Sequence, residues 1–432
     1  MQLTRIPRTT GRSTQVRSRI AKVVVLEVLK NPTYAKLFSA QIIALLGTGL
    51  LTVALGLLAF DIAGGDAGVI LGTALTIKMV AYVAVSPVIT ALTARLPQKT
   101  VLIVADVVRA AVAVGLPFVT EAWQIYILIF LLQSASATFT PAFQAVIPEV
   151  LPDERQYTRA LSLSRLAYDL ESLLSPMLAA ALLTVMTYNN LFVGTIIGFV
   201  ISTVLVTITA FPQITPAPPA PFFAELTRGV RAFWRSTELR ALLALNLTVA
   251  ASTAMVIVNT VVLVQGQLGR TQADVALLLA AYGAGSMVVA LIAPKLLDTF
   301  SDRGVMLLGA LLIPVGLMGA ASLIGMAPPT DMWMGLFGIW AILGAATSLI
   351  LTPSARLLRR NSDETNRPAV FAAQFSLSHA CFMITYPLAG TLGAALGLSW
   401  TAVILAGIGA VATTFAFALW RSRTPVADHT LR

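Results

Sequence analysis

Residues 163–183, LSRLAYDLESLLSPMLAAALL, set Arg165, Asp169 and Glu171 directly before an unbroken apolar run. At roughly 100° per residue, helical periodicity places Ser162, Arg165, Asp169, Ser172 and Pro176 in one narrow stripe. Tyr168, Ser164, Ser175 and Glu171 widen that stripe to about half the circumference. Leu163, Leu166, Leu170, Leu173 and Leu174 fill the opposite side. Such a helix turns one face to lipid and the other to protein or water. Arg165 and Asp169 are i,i+4 neighbours and can pair. A charge at the centre of a bilayer costs at least ~2.5 kcal/mol, so ionisable groups there serve a pathway or a partner.

The rest of the chain supports a membrane setting. Of 432 residues, 57% are hydrophobic and 11% charged, against about 25% charged in an average soluble domain. Apolar segments near 37–60, 68–93, 101–119, 124–147, 160–186 and 191–211 are each long enough to cross ~30 Å of hydrocarbon as a helix. A second set lies near 239–264, 274–297, 304–325, 333–355, 369–395 and 398–420. The expected fold is therefore all-α, with twelve spans. Alternating ten-residue strands, the mark of a transmembrane barrel, are absent from the sequence pattern.

The net charge of +10 is distributed as an orientation signal and not as a nucleic-acid surface. With alternating loops, 25 of the 29 Lys and Arg residues fall on one side, one (Arg270) on the other, and Lys78, Arg109 and Arg165 within spans. The positive-inside rule then puts both termini in the cytoplasm. Residues 1–36 read as a basic extension on that side, able to lie on anionic lipid. Their Arg-, Ser- and Thr-rich composition is also that of a transit peptide, a less economical reading. Cys381 is the single cysteine, which excludes an intramolecular disulfide.

The longest break is Pro-rich, PQITPAPPAP (212–221), followed by FFAELTRGVRAFWRS (222–236). In the latter Phe222, Leu226, Val230 and Phe233 share one face, with Arg228, Arg231 and Arg235 on the other. This is an amphipathic helix expected on the inner membrane surface. The chain thus divides into residues 37–211, a linker at 212–238, residues 239–420 and a tail at 421–432. Thr140-Pro141 ends the fourth span and Thr352-Pro353 the tenth. Pro141 to Pro176 is 35 residues and Pro353 to Pro387 is 34, while Ser86-Pro87 is echoed by Ala293-Pro294. The shared offset indicates an internal duplication, and two six-span repeats with substrate bound between them is a common plan for secondary transporters.

Three stretches carry a family resemblance: SPVITALTARLPQKTVLIVADVVRAA (86–111), FTPAFQAVIPEVLPDERQYTRALSLS (139–164) and LLSPMLAAALL (173–183). In them the chain resembles the major facilitator superfamily over essentially its whole length, within the twelve-span exporter branch that includes siderophore and drug exporters. Ala94 stands beside Arg95 where the family's loop motif has Asp, and only Lys99 remains of the basic run that follows. Ser175 replaces the Gly of the antiporter motif, whereas Pro176, Ala179 and Ala180 match it. Residues 351–390 are also similar to nickel-resistance exporters. The resemblance implies proton-coupled efflux of a drug- or siderophore-like small molecule by alternating access, from a monomer in a bacterial inner membrane. Nickel or metal-ion export is the alternative within transport, and a lipid-flipping or sensory membrane protein the alternative outside it.

Asp169 and Glu171 are the coupling candidates: protonation would remove a charge, weaken pairing with Arg165 and let the halves rock. The competing reading is a permanently paired cluster that fixes helix packing. Lys78, near the midplane of the second span, either faces the cavity or serves structure. Asp106 and Arg109 are i,i+3 neighbours and form a structural pair. Arg95, Lys99 and Pro176 belong with gating and structure. His379 and Cys381 are about 200° apart on a helix and cannot chelate together, so His379 is a helix-interface residue or assists coupling, and no metal site is expected.

Gln41 and Thr48 on span one and Gln133 and Ser136 on span four are placed to line a central cavity. Asn246, Asn259, Gln374 and Tyr386 hold matching places in the second half. Interhelical hydrogen bonding would explain the same residues. Gly47 and Gly49 allow close helix packing. No phosphate-binding GxxxxGK[ST] or hydrolase spacing occurs, so neither a nucleotide, a cofactor nor an enzymatic activity is expected.

Overall fold

The computed structural model describes residues 27–85, 96–211, 222–326, 328–362 and 367–421. The side chains of Arg165 and Asp169 lie outside the described set, as does Arg95 altogether.

The described residues are helical from end to end. α1 (Pro32–Ala63) starts where Asn31 accepts hydrogen bonds from the Thr33 and Tyr34 amides at 3.0 and 3.1 Å, with Pro32 in the first turn. These contacts satisfy donors that a helix start leaves free. α1 stops at Gly64, whose φ of 52° suits a residue without a Cβ. After one tight turn comes α2 (Ala67–Val80), which widens into a π-type turn at Ala81–Val85. The first half continues with α3 (Gln98–Gly115), α4 (Ala122–Val150), α5 (Glu154–Leu183) and α6 (Asn189–Thr207). α7 (Phe222–Arg235) is the linker helix. The second half comprises α8 (Thr237–Val261), α9 (Gln272–Thr299), α10 (Asp302–Met326), α11 (Pro329–Arg360), α12 (Arg367–Leu396) and α13 (Leu398–Arg421).

Among the described residues, ten stretches are long and apolar enough to cross a membrane. The first of them, Pro32–Val85, holds both α1 and α2. α5 adds one more helix, whose purely apolar part is Leu174–Leu183. Large apolar side chains point outward, among them Val104 on α3, Trp123 on α4, Val204 on α6, Leu291 on α9, Val315 on α10 and Val411 on α13. A water-soluble protein would not leave so much apolar surface bare. The fold is a twelve-helix membrane bundle in two six-helix halves. With an even number of spans, the start of α1 and the end of α13 share one face with the linker helix, here the linker face; the turn at Gly64–Asp66 lies on the far face.

Within the first half α1 packs on α6 and α5, and α3 on α4 and α6. Within the second α9 packs on α11, and α10 on α11 and α13. The halves meet along two seams, α2 with α12 and α5 with α9. The second helix of each half therefore lies on the fifth helix of the other, the reciprocity a duplicated chain produces.

The α2–α12 seam is tightest near the far face. A Cβ on Gly390 would collide with the Gly68 carbonyl, and one on Gly72 would lie 2.6 Å from the Tyr386 carbonyl oxygen. Only glycine permits this approach of backbone to backbone. The linker helix has a partner that periodicity did not reveal. α7 packs on α12 and α8, with Phe233 buried and Gly229 set against the Ala369 carbonyl. Arg231, Trp234 and Arg235 remain exposed on its other side, so the part of the apolar face at Gly229 and Phe233 is docked on protein.

Candidate coupling and substrate site

Glu171 lies just above the middle of α5, half-buried, and its position is set by the neighbouring helix. Gly49 of α1 faces it so closely that an added Cβ would come within 2.5 Å of Glu171 Oε1 and would overlap the Ser175 side chain. Across the same region, Lys78 of α2 and Glu171 act on each other electrostatically. The Lys78 ammonium stands 5.9 Å from the centre of the Tyr82 ring, one turn further along α2, in the geometry of a cation–π contact.

Tyr82 carries this group to the second half. Its ring is 6.0 Å from Phe375 and 5.5 Å from His379 of α12, edge-on to both. His379 lies 4.1 Å from Phe375 and 6.4 Å from Phe382, and Phe382 stacks on Tyr386 at 5.1 Å. His379 Nδ1 is 2.7 Å from the Phe375 carbonyl oxygen. A carbonyl can only accept, so Nδ1 bears the hydrogen and Nε2 of the neutral ring is left as an acceptor. The aromatic row Phe375, His379, Phe382 and Tyr386 recurs at i,i+4,i+7,i+11. It was legible in the sequence, as was Tyr82 four residues beyond Lys78, and the charge-by-charge reading missed both.

The remaining candidates fall into three groups. Gln133 Oε1, both polar atoms of Asn246 and Gln374 Oε1 have no hydrogen-bond partner among the described residues, although the first two residues are almost wholly buried. Buried polar atoms without a protein partner demand an explanation, and water or substrate contact would provide one. In contrast, Thr48 and Ser136 donate to carbonyls of their own helices, Ala44 and Leu132. Asn259 sits in the far-face seam, donating to the Ala389 carbonyl at 3.2 Å, so it joins α8 to α12. Gln41 accepts from Ser164 at 3.1 Å and joins α1 to α5.

The third group is structural by its contacts. Asp106 and Arg109 form an ion pair in the core of the first half, and Ser202 donates to Asp106 at 2.6 Å. The Arg109 guanidinium lies between Phe139 and Phe199, 4.3 and 4.6 Å from their ring centres. Lys99 donates to the Thr209 carbonyl at 2.9 Å and lies over Phe211, tying the start of α3 to the end of α6. Pro176 lies within the unbroken α5. Asp169 and Arg165 occupy α5 two and six residues before Glu171, towards the linker face, their side chains outside the described residues. Among the described residues, no three His, Cys, Asp or Glu side chains stand close enough to hold a metal ion.

A cluster that sequence reading did not anticipate closes the linker face of the second half. Glu238 at the start of α8 accepts from Arg303 of α10 and Asn361 of α11, each at 2.5 Å, with Arg360 at 3.6 Å. Asp302 pairs with Arg356 and Arg360 at 3.6 and 3.7 Å, and Ser236 donates to Asn361. Its members lie up to 125 residues apart, beyond the reach of any local pattern.

Two six-helix halves meeting on reciprocal seams, with opposite charges on the two first-half helices that form those seams, are the architecture of a membrane transporter. The chain belongs to the Major Facilitator Superfamily, whose model matches residues 37–264 and 242–432. It is similar to macrolide efflux protein A of Streptococcus pyogenes, 26% identical over 215 residues, which are 48% of this chain and 52% of that protein. The protein of the same name from Enterococcus faecalis is 27% identical over 186 residues, 40% of this chain and 57% of that one. The chain thus spans little more than half the length of the curated relatives it matches. In fold it is similar to the nucleoside transporter NupG (TM-score 0.66, 13% identity, 90% of this chain and 100% of that one). It is likewise similar to a bacterial homologue of the human lysosomal transporter Spinster in an inward-facing, unoccupied conformation (TM-score 0.69, 13% identity, 90% and 96%).

Proposed function

We propose that the chain is a proton-coupled exporter of amphiphilic small molecules of the macrolide class, acting by alternating access, with Glu171 as its coupling carboxylate and Lys78 as the opposing charge. One observation carries this reading. Lys78 is on α2 and Glu171 on α5, the two helices of the first half that form the seams with the second. A change of charge at Glu171 therefore acts on the two contacts that must slide when the halves rock. Protonation from the outside would neutralise Glu171 and release Lys78 towards the Tyr82–His379 aromatic group; loss of that proton inside would restore the pair. Asp169 and Arg165 lie two and six residues before Glu171 on the same helix and share this role, with His379 as a second protonatable group across the seam.

Efflux is supported by the macrolide efflux relatives, and the distribution of basic residues supports an inner-membrane orientation with the linker face cytoplasmic. The test is uptake of radiolabelled erythromycin into inverted vesicles energised by a proton gradient. Uptake that a protonophore abolishes is the expected result. Uptake that a protonophore leaves intact would remove proton coupling from the account.

A further inference from the structure

α1 and α5 run parallel, and their contacts form a graded row. Nearest the linker face, the Tyr34 hydroxyl donates to the Ala160 carbonyl at 3.2 Å and also bonds with Ser164. Ser164 in turn donates to Gln41 Oε1 at 3.1 Å. The Tyr168 hydroxyl hydrogen-bonds with the same Gln41 and with Thr140 of α4. At the upper end Glu171 Oε1 lies against Gly49. Ser164, Tyr168 and Glu171 are spaced i,i+4,i+7 and share one stripe of α5, while Gln41 and Gly49 lie about 12 Å apart along α1 at 1.5 Å per residue.

We propose that Tyr168, Ser164 and Tyr34 are the route by which a proton passes between Glu171 and the linker face. The proposal rests on Glu171 being the coupling carboxylate. Apart from Gln41, the members of this row are hydroxyls, which donate and accept at the same atom and so can relay a proton. Gln41 cannot relay in that way; its amide holds two of the hydroxyls in place. On release, the Glu171 O–H bond breaks as Tyr168 accepts that proton. Tyr168 gives up its own hydrogen towards Ser164, Ser164 passes one to Tyr34, and Tyr34, buried in this arrangement, gives one to water once the halves part at the linker face. One proton crosses and every hydroxyl ends as it began. Lys78 acts on Glu171 from α2 and Arg109 on Tyr168 from α3, while Tyr82 acts on Tyr168 in the opposite sense. The two positive charges disfavour an excess proton resting on the row, so the hydroxyls pass it on without storing it. The route is separate from the aromatic row on α12.

The test needs no substrate. The full chain in lipid nanodiscs is subjected to an alkaline pH jump, and proton release is followed by stopped flow with a soluble pH indicator. The wild type shows a release phase that Glu171→Gln lacks. Tyr168→Phe and Ser164→Ala keep the amplitude of that phase but slow it roughly 10- to 100-fold, with a larger effect of heavy water. Thr203→Val, which removes a hydroxyl on α6 that donates to the Phe199 carbonyl of its own helix, leaves the rate unchanged. Ser164→Ala removes a single oxygen and decides the matter if Tyr168→Phe does not fold. Unchanged rates in both variants overturn the route. An unchanged amplitude in Glu171→Gln overturns the coupling role itself, which is a distinguishable result.

Discussion

Gly49 of α1 is packed against Glu171 of α5 with no room for a methyl group between them. The obstacle a Cβ would meet is the Glu171 carboxylate and the Ser175 side chain one turn beyond it, so Gly49→Ala either displaces Glu171 or separates the helices. Gly49→Ala is expected to reach the membrane in normal amount and to lose transport roughly ten-fold or more. Gly56→Ala, whose Cβ would only touch Leu71 at 3.5 Å, is expected to transport normally. Comparing the two in one vesicle assay separates crowding at Glu171 from a general intolerance of α1 to added bulk.

Lys78 and Glu171 are expected to be energetically coupled. Lys78→Met and Glu171→Gln each deprive the other residue of an opposite charge in a low-dielectric setting, and a lone buried charge is costly. Thermal unfolding in detergent should show both single variants destabilised and the double variant recovering about 1 kcal/mol relative to additivity. Strict additivity would mean that the two side chains do not act on each other. The double variant should not recover transport.

Closure at the far face depends on bare backbone. Gly390→Ala places a methyl group on the Gly68 carbonyl, which cannot move aside as a side chain could. α2 and α12 should then part at that end. In a Cys381→Ser background, a cysteine replacing the buried Asn259 is expected to react slowly with a membrane-impermeant maleimide. The same cysteine should react quickly once Gly390 is alanine. Equal reactivity would show that the seam does not govern access.

The Glu238 cluster predicts a stability effect without a direct role in coupling. Glu238→Ala leaves Arg303 and Asn361 without their shared acceptor and is expected to cost about 2 to 3 kcal/mol. That is less than a fully buried pair, because the arginines are partly exposed. Arg356→Ala, whose side chain is 57% exposed, should change the unfolding temperature little.

How much of this the sequence disclosed follows from the range over which each feature acts. Span length and hydropathy are local, so the twelve helices and the two halves could be read directly. The ionisable stripe on α5 is also local, because Arg165, Asp169 and Glu171 lie within two turns. Glu171 offered no partner within its own helix, since the charge that faces it is Lys78, 93 residues earlier on α2. Asn259 read as a cavity polar group, but it lies where three helices converge through glycines, an arrangement that no single helix encodes. The docking of α7 was hidden for a related reason: an amphipathic face looks the same whether lipid or another helix covers it.

The central claim is that protonation of Glu171 drives the two halves between their arrangements. It is tested most directly by Glu171→Gln in proteoliposomes loaded with radiolabelled erythromycin. Exchange of labelled for unlabelled erythromycin across the membrane without a gradient should persist, while accumulation driven by a proton gradient should fall to background. Gradient-driven accumulation at the wild-type rate in Glu171→Gln would contradict the account.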